Sequence, residues 1–324
     1  MHAFDLAEFY IPFTTRINRH QQVATQNALA WLQLTALVDA ESESDRLQRF
    51  ATFGELAART CPDVGVAELE QIINWINWLF VLDDLVDEPC RQSAATDTLA
   101  MLEHLRLVIK SDAQATARTT LETAWKILWE KLAAGMGQHA QQRFLLTVDQ
   151  YLVSLQQEIA MTAEGYIPDL LTFAEIRRNT GAVKTTLSIN EYAWHKELPQ
   201  GFFESDLNRV LTDVTCDVTG MTNDIWSYSK EIAHPSNNSY VVIFEHHMGC
   251  DNRAAMIMVN HLITSRVKCF LHARTQLSAF LYKPDLSAVD RKIVLHYIAG
   301  MEHWMRGNLE WSSATPRYNH QQQQ

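Results

Sequence analysis

The stretch Ile72 to Pro89, IINWINWLFVLDDLVDEP, restricts what this chain can fold into more than any other. A tryptophan-rich apolar run ends abruptly in four acids, Asp83, Asp84, Asp87 and Glu88. At helical spacing Asp83 pairs with Asp87, and Asp84 with Glu88, each pair on its own face. Pro89 is expected to stop the helix just past the acids. The C-terminal end of a helix already carries partial negative charge, so carboxylates placed there repel it. Hard divalent cations are natural compensation, since Mg²⁺ prefers carboxylate oxygens. For this run alone, a solvated acidic helix end is the simpler account. A second constellation downstream changes the balance.

Composition bears on fold class. The 324 residues include 11 Gly and 8 Pro, few for this length, while 47% are hydrophobic. Helices tolerate neither residue well and turn-rich β folds need both, so the expectation is an all-α protein with a large core. No linker or repeat interrupts it, and a single domain over 1–324 is expected, with a leader at 1–20 and a disordered glutamine-rich tail at 319–324. The formal net charge of −11 argues against nucleic acid as a partner. Five scattered cysteines, Cys61, Cys90, Cys216, Cys250 and Cys269, form no ligand spacing and read as reduced thiols of a cytoplasmic protein. The N-terminus lacks a signal-peptide apolar core, and no apolar run is long enough to span a membrane. A monomer or homodimer is expected.

Helices are predicted over about 22–38, 45–60, 66–88, 91–113, 117–135 and 139–164. Next come 173–178, broken at Asn179-Thr180-Gly181 and resumed through LSINEYAWH, then 205–233, 240–249, 251–282 and 286–310. The leader, with Pro12, reads as extended. The leucine and tryptophan stripes of the middle helices read as packing rather than function.

The second constellation runs from Asn223 to Glu231, NDIWSYSKE. Asn223, Ser227 and Glu231 stand at i, i+4 and i+8, a narrow stripe of oxygen ligands on one helix face. An amide oxygen, a hydroxyl and a carboxylate suit an octahedral Mg²⁺ that keeps several waters. Ordinary polar surface is the plain alternative for the stripe by itself. Lys230 beside it could neutralise phosphate oxygens as a point charge.

Together the two motifs, DDxxDE ending one long helix and NDxxSxxKE on another, resemble a microbial class I terpene synthase, and the resemblance covers essentially the whole chain. It implies a helical bundle around a central apolar cavity and an enzyme that cyclises an isoprenyl diphosphate. The implied metal ligands are Asp83, Asp87, Asn223, Ser227 and Glu231, with Mg²⁺ as cofactor, three ions once diphosphate is bound. It places a diphosphate-sensing arginine at Arg177 rather than Arg178, with Thr180 as linker and Gly181 supplying an effector carbonyl. Lys230 and the pair Arg317-Tyr318 complete the diphosphate site. The leader departs from the family's Asn-Pro-His, reading Asn18-Arg19-His20.

The chemistry holds together on physical grounds as well. A departing diphosphate needs its charge stabilised, and cations gathered between two acidic helices would do this. The allylic cation left behind needs an apolar, water-poor cavity. Aromatic faces stabilise such a cation by about 2 kcal/mol each when desolvated. Phe80, one turn before Asp83, is the first candidate; Trp75, Trp78, Trp194, Trp304 and Trp311 follow, and for each of these five core packing is the simpler reading. Chain length is not legible from the residues; farnesyl diphosphate is favoured on family grounds, with geranylgeranyl diphosphate next. One rival is a chain-elongating prenyl diphosphate synthase, which calls for a second aspartate-rich motif where this chain has Asn223, Ser227 and Glu231. Another is a non-catalytic helical binding protein. A di-iron bundle would need paired Glu-x-x-His motifs, which the sequence lacks.

Overall fold

The computed structural model describes residues 8–38, 43–91, 95–111, 115–231, 239–284 and 286–318; the side chains of 43–45, 87–91, 230 and 231 lie outside that description. Every regular element among the described residues is a helix. In chain order they are α1 (Gln21–Leu34), α2 (Glu43–Thr60), α3 (Val66–Arg91), α4 (Ala95–Lys110), α5 (Thr120–Ala134) and α6 (Gln138–Glu164). Then follow α7 (Leu170–Thr180), α8 (Val183–Ser188), α9 (Asn190–Ala193), α10 (Gln200–Phe203) and α11 (Asp206–Glu231). The last are α12 (Tyr240–Met248), α13 (Asn252–Thr275), α14 (Leu277–Leu281) and α15 (Ala288–Ala314). Among the described residues no helix is long and apolar enough to cross a membrane. The chain packs as two compact units, one of residues 15–164 and 188–197, the other of 1–14, 165–187 and 198–324.

In the first unit α3 is the central helix, packed by α1, α2, α5 and α9. It is apolar nearly all round, as a helix covered on every side must be; Leu69, Ile72, Ile73, Trp75, Ile76, Trp78, Val81 and Leu82 are all buried. Trp75 and Trp78 stack at 5.2 Å and meet Trp125, which stacks on Trp129 and Phe144. This cluster makes Trp75 and Trp78 core residues. The Trp78 indole N–H finds the Leu121 carbonyl at 3.0 Å, satisfying its one polar atom. α9 is tied to α6 by a buried bidentate pair, Arg143 to Glu191. Asn18 from the divergent leader motif is buried and donates to the Cys61 and Val64 carbonyls, both at 2.9 Å, while accepting from the His20 N–H. Asn18 therefore anchors this part of the leader, with Arg16 paired to Asp63 beside it, and Arg19 in place of proline leaves that anchor intact.

In the second unit α11 is central, packed by α13, α15, α7 and α12. Residues 8–14 are extended against this unit: Phe13 meets Phe270 edge-on at 5.5 Å, and Phe9 lies over Trp226. Asp217, almost wholly buried on α11, receives Arg178 at 2.7 and 3.0 Å and Arg266 at 2.7 Å.

Several boundaries differ from the sequence expectation. α3 runs on to Arg91 rather than ending at Glu88. Pro89 removes one hydrogen bond to the carbonyl a turn earlier, but its fixed φ is helical, so in a last turn the helix continues past it. The 251–282 helix is two, because Gln276 donates to Ala273 one residue too early and tightens the turn. The segment resumed after the break is also divided, into α8 and the four-residue α9, and the chain turns two residues past α9 at His195, with φ 51°. α15 continues four residues beyond Glu310. The expected disordered tail, 319–324, lies outside the described residues, as does Pro235.

Candidate active site

The arginine region is built by a helix end. Asp169 caps α7 by accepting from the Leu171 and Thr172 N–H groups, and the helix runs to Thr180. The break falls at Gly181 and Ala182, one residue later than expected, and the residue with positive φ is Ala182, at 55°, not the glycine. Gly181 serves a close approach instead. Its N–H donates to the Arg177 carbonyl at 3.0 Å, and a Cβ there would stand 3.1 Å from that same oxygen. The turn therefore folds back over Arg177.

Consecutive arginines at the end of α7 diverge because successive helical residues are about 100° apart. Arg178 turns to Asp217, with Asp213 further off at 3.8 Å, and these carboxylates hold its guanidinium charged beyond the ordinary arginine range. Arg177 turns the other way, across Gly220, to the start of the NDxxSxxKE motif. Its Nε and Nη2 donate to Asp224 Oδ1 at 3.1 and 2.6 Å, and Nη2 also reaches Asn223 Oδ1 at 3.3 Å. Asp224 is fully buried, and its other oxygen accepts from the Tyr240 N–H at 2.8 Å. Burial pushes its carboxyl upward, and the Arg177 charge and these hydrogen bonds pull against that. The sequence reading gave Asp224 no role. It lies off the Asn223 stripe, so helical spacing offered no signal; only its adjacency to Asn223 marked it.

Asn223 is held from both sides. Besides the Arg177 contact on its oxygen, its Nδ2 donates to the Tyr318 hydroxyl at 2.7 Å. Tyr318 packs edge-on against the buried Trp311 at 5.9 Å, and its neighbour Arg317 is buried too. The segment after α15 is thus a turn tied to α11 through Tyr318. One helical turn beyond Asn223, the Ser227 hydroxyl donates to the Asn223 carbonyl at 2.8 Å, which presents its oxygen as an acceptor. Asn223 and Ser227 form an all-oxygen pair at one-turn spacing on one face, a donor set that fits a hard divalent cation. Glu231, third in the stripe, and Lys230 lie in the last turn of α11 with side chains outside the described residues. Thr180 closes α7.

In the other unit, Asp83 is partly buried on α3, and Asp84 is paired with Arg49. The Asp87 and Glu88 side chains lie outside the described residues. Phe80 stacks flat on Phe53, ring centroids 3.8 Å apart and planes 2° apart, one turn before Asp83. Trp304 and Trp311 are both buried on α15. His246 and His247 are exposed.

An all-α architecture with the Asn223–Ser227 oxygen pair and an arginine clamped beside it suits a metal-dependent enzyme of anionic substrates. The family model described as terpene synthase family 2, C-terminal metal binding, matches residues 74–269. That match covers more than half of the chain, which belongs to this family. Pristinol synthase of Streptomyces pristinaespiralis is 30% identical over 97% of this chain and 85% of its own length. Sesquiterpene synthase Agr1 of Cyclocybe aegerita is 27% identical over 94% of this chain and 85% of its own. The crystal structure of a-eudesmol synthase superposes with a TM-score of 0.86 at 22% identity, covering 95% of this chain and 99% of that one, a likeness of fold. The chain is therefore a terpene synthase, a lyase acting on a prenyl diphosphate with a divalent metal, and neither a chain-elongating synthase nor a non-catalytic binding protein.

Proposed function

We propose that the enzyme ionises farnesyl diphosphate, with geranylgeranyl diphosphate as the second choice, and cyclises the cation to a terpene, releasing diphosphate. The observation that carries this reading is the joint fixation of Arg177 and Asn223, one by Asp224 and the other by Tyr318. A guanidinium held in place before substrate arrives stabilises developing diphosphate charge without reorganisation. The fifteen-carbon choice is supported by a relative named as a sesquiterpene synthase.

Asp83 and Asp87 of α3, with Asn223, Ser227 and Glu231 of α11, would hold Mg²⁺, three ions once diphosphate is bound. When bound, the ions supply Lewis-acid stabilisation of the leaving diphosphate. Arg177, Lys230, Arg317 and Tyr318 bind the diphosphate oxygens. Arg177 suits this role because its planar fork engages two oxygens at once. Thr180 links the sensing arginine to Gly181, whose carbonyl is the effector at the scissile end. The faces of Phe80, Trp304 and Trp311 stabilise the cation after departure. The buried free thiols Cys61 and Cys216, each pushed up to about 12 by burial, are inert and fit a reducing cytoplasm.

The test is incubation with geranyl, farnesyl and geranylgeranyl diphosphates, each with and without Mg²⁺ and isopentenyl diphosphate. Cyclic fifteen-carbon products and diphosphate release that require Mg²⁺ but not isopentenyl diphosphate are expected. Turnover in a metal chelator, or twenty-carbon products alone, would overturn the metal or the substrate assignment respectively.

A further inference from the structure

On α11 and α15, buried hydroxyl groups stand without a hydrogen-bond partner among the described residues. Thr219 and Thr222 of α11 and Ser312 of α15 are nearly or fully buried, and none of the three hydroxyls has a hydrogen-bond partner. The Trp304 indole N–H, buried on the same helix, also has none. Other hydroxyls on these helices behave differently. Thr215 turns back to the Leu211 carbonyl at 2.8 Å, Ser227 to Asn223 at 2.8 Å and Ser313 to Glu310 at 2.9 Å. A buried helical serine or threonine has that internal outlet, and Thr219, Thr222 and Ser312 do not use it.

Two contacts set the register. Asn308 donates to the Thr219 carbonyl at 3.3 Å, and Tyr318 meets Asn223 at 2.7 Å. Between these two levels lie Thr222, next to Asn223, and Ser312, one turn beyond Asn308. The stripe Trp304, Asn308, Trp311 and Ser312 follows i, i+4, i+7 and i+8 spacing, so it mixes the two aromatic residues assigned to the cation with the polar ones. Buried hydroxyls in native proteins are satisfied by protein groups or by ordered water, and a water needs two to four polar partners. Thr219, Thr222 and Ser312 supply both acceptors and donors for one.

We infer that Thr222 and Ser312, assisted by Thr219, hold a water molecule beside the aromatic face and present it to the last carbocation, making the product a terpene alcohol. The inference rests on the terpene synthase reading of the neighbouring site. In the step, a water lone pair forms a C–O bond to the cationic carbon. The resulting oxonium loses one proton to an oxygen of the released diphosphate, leaving a neutral alcohol. The two hydroxyls position the water and make no bond to the substrate.

Two measurements test this. Farnesyl diphosphate and Mg²⁺ are incubated in H₂¹⁸O, and products are quantified per diphosphate released. The expected main product is an alcohol carrying one ¹⁸O. In the Thr222→Val/Ser312→Ala double variant the alcohol-to-hydrocarbon ratio is expected to fall at least tenfold. Thr222→Ser, which keeps the hydroxyl, retains the ratio, as does Thr215→Val, whose hydroxyl is satisfied within its own helix. A wild-type product without oxygen, or an unchanged ratio in the double variant, overturns the proposal. A crystal structure of the wild-type protein at water-resolving resolution gives a reading independent of turnover. Density for a water within hydrogen-bond distance of Thr222 Oγ1 and Ser312 Oγ is expected, and its absence overturns the proposal even if the double variant fails to fold. Failure to release diphosphate from any prenyl diphosphate would instead overturn the reading of the neighbouring site, while the density still decides the water.

Discussion

Asp224 sits outside the metal stripe yet sets the direction of Arg177. With Asp224→Asn the guanidinium loses its ionised partner in a buried place, and breaking such a pair costs about 3 to 5 kcal/mol. Urea unfolding is expected to show a loss of that order, together with a fall in turnover. The adjacent arginines offer a sharper comparison. Arg177→Lys keeps the charge but loses the fork, and removing one preorganised donor typically costs about 10²- to 10³-fold in rate. Diphosphate release is therefore expected to drop by about that factor. Arg178→Lys breaks a bidentate bond to Asp217 and is expected to lower the melting temperature more than the rate. If Arg178→Lys stops turnover and Arg177→Lys does not, the sensing role belongs to Arg178. At the same scale, Asn223→Ala removes an oxygen from a cation with few protein ligands, and turnover at ordinary Mg²⁺ is expected to be abolished or severely reduced. Spacing and residue type put Asn223 and Ser227 on one face of α11. They could not pick out Asp224, whose importance comes from which side of α11 meets α7, a tertiary fact.

Among the elements, α5 shows how local signals and tertiary partners combine. Thr119 and Glu122 form a capping box: the Thr119 side chain accepts from the Glu122 N–H, and Glu122 accepts from the Thr119 N–H. Glu122 also accepts from the Arg118 N–H and meets His104 of α4 at 2.6 Å. Burial opposes its ionisation, but the His104 contact and the two backbone N–H groups outweigh burial and hold its carboxyl below the ordinary value of 4.5. A carboxylate depressed in the folded state stabilises fully above its unfolded pKa, and that contribution is lost as pH falls through the folded value. Glu122→Gln is accordingly expected to cost about 1 to 2 kcal/mol at pH 7, and to narrow its gap to wild type as pH drops from about 5 to 3. Equal losses at both ends of that range would remove Glu122 from the account of acid sensitivity. The existence of nearly every long helix was legible from periodicity and from the scarcity of glycine and proline. Their ends were less so, for reasons particular to each. Pro89 looks like a stop, but in a last turn it costs a single hydrogen bond. The break after α7 reads as Asn179-Thr180-Gly181, whereas the backbone turns at Ala182, and a side chain at Gly181 would crowd the Arg177 carbonyl. Gln276 carries no breaker residue to announce that α13 ends there.

For the whole molecule, the question is how the C-terminal segment serves the reaction. The family resemblance assigns the Arg317-Tyr318 pair to the diphosphate site, and in the structure Tyr318 meets Asn223 while Arg317 is buried. That placement joins the end of the chain to the helix whose ligand stripe lies far earlier in sequence, which no local pattern could announce. Diphosphate offers Arg317 and Tyr318 strong acceptors, so substrate and Mg²⁺ are expected to tighten the segment, excluding water while the cation rearranges. Arg317→Ala is expected to slow diphosphate release by about tenfold or more, and to raise the share of acyclic and monocyclic alcohols formed by capture before the cascade ends. The variant's product profile is read beside amide hydrogen exchange of residues 312–318 in the wild type, with and without Mg²⁺ and inorganic diphosphate. Added protection of that segment, together with the product shift, supports closure. The shift without the protection would mean that Arg317 acts through charge alone. Neither change would leave Tyr318 as a fixed support for Asn223, and Tyr318→Phe, which removes the hydroxyl while keeping the ring on Trp311, then decides whether that support matters to turnover.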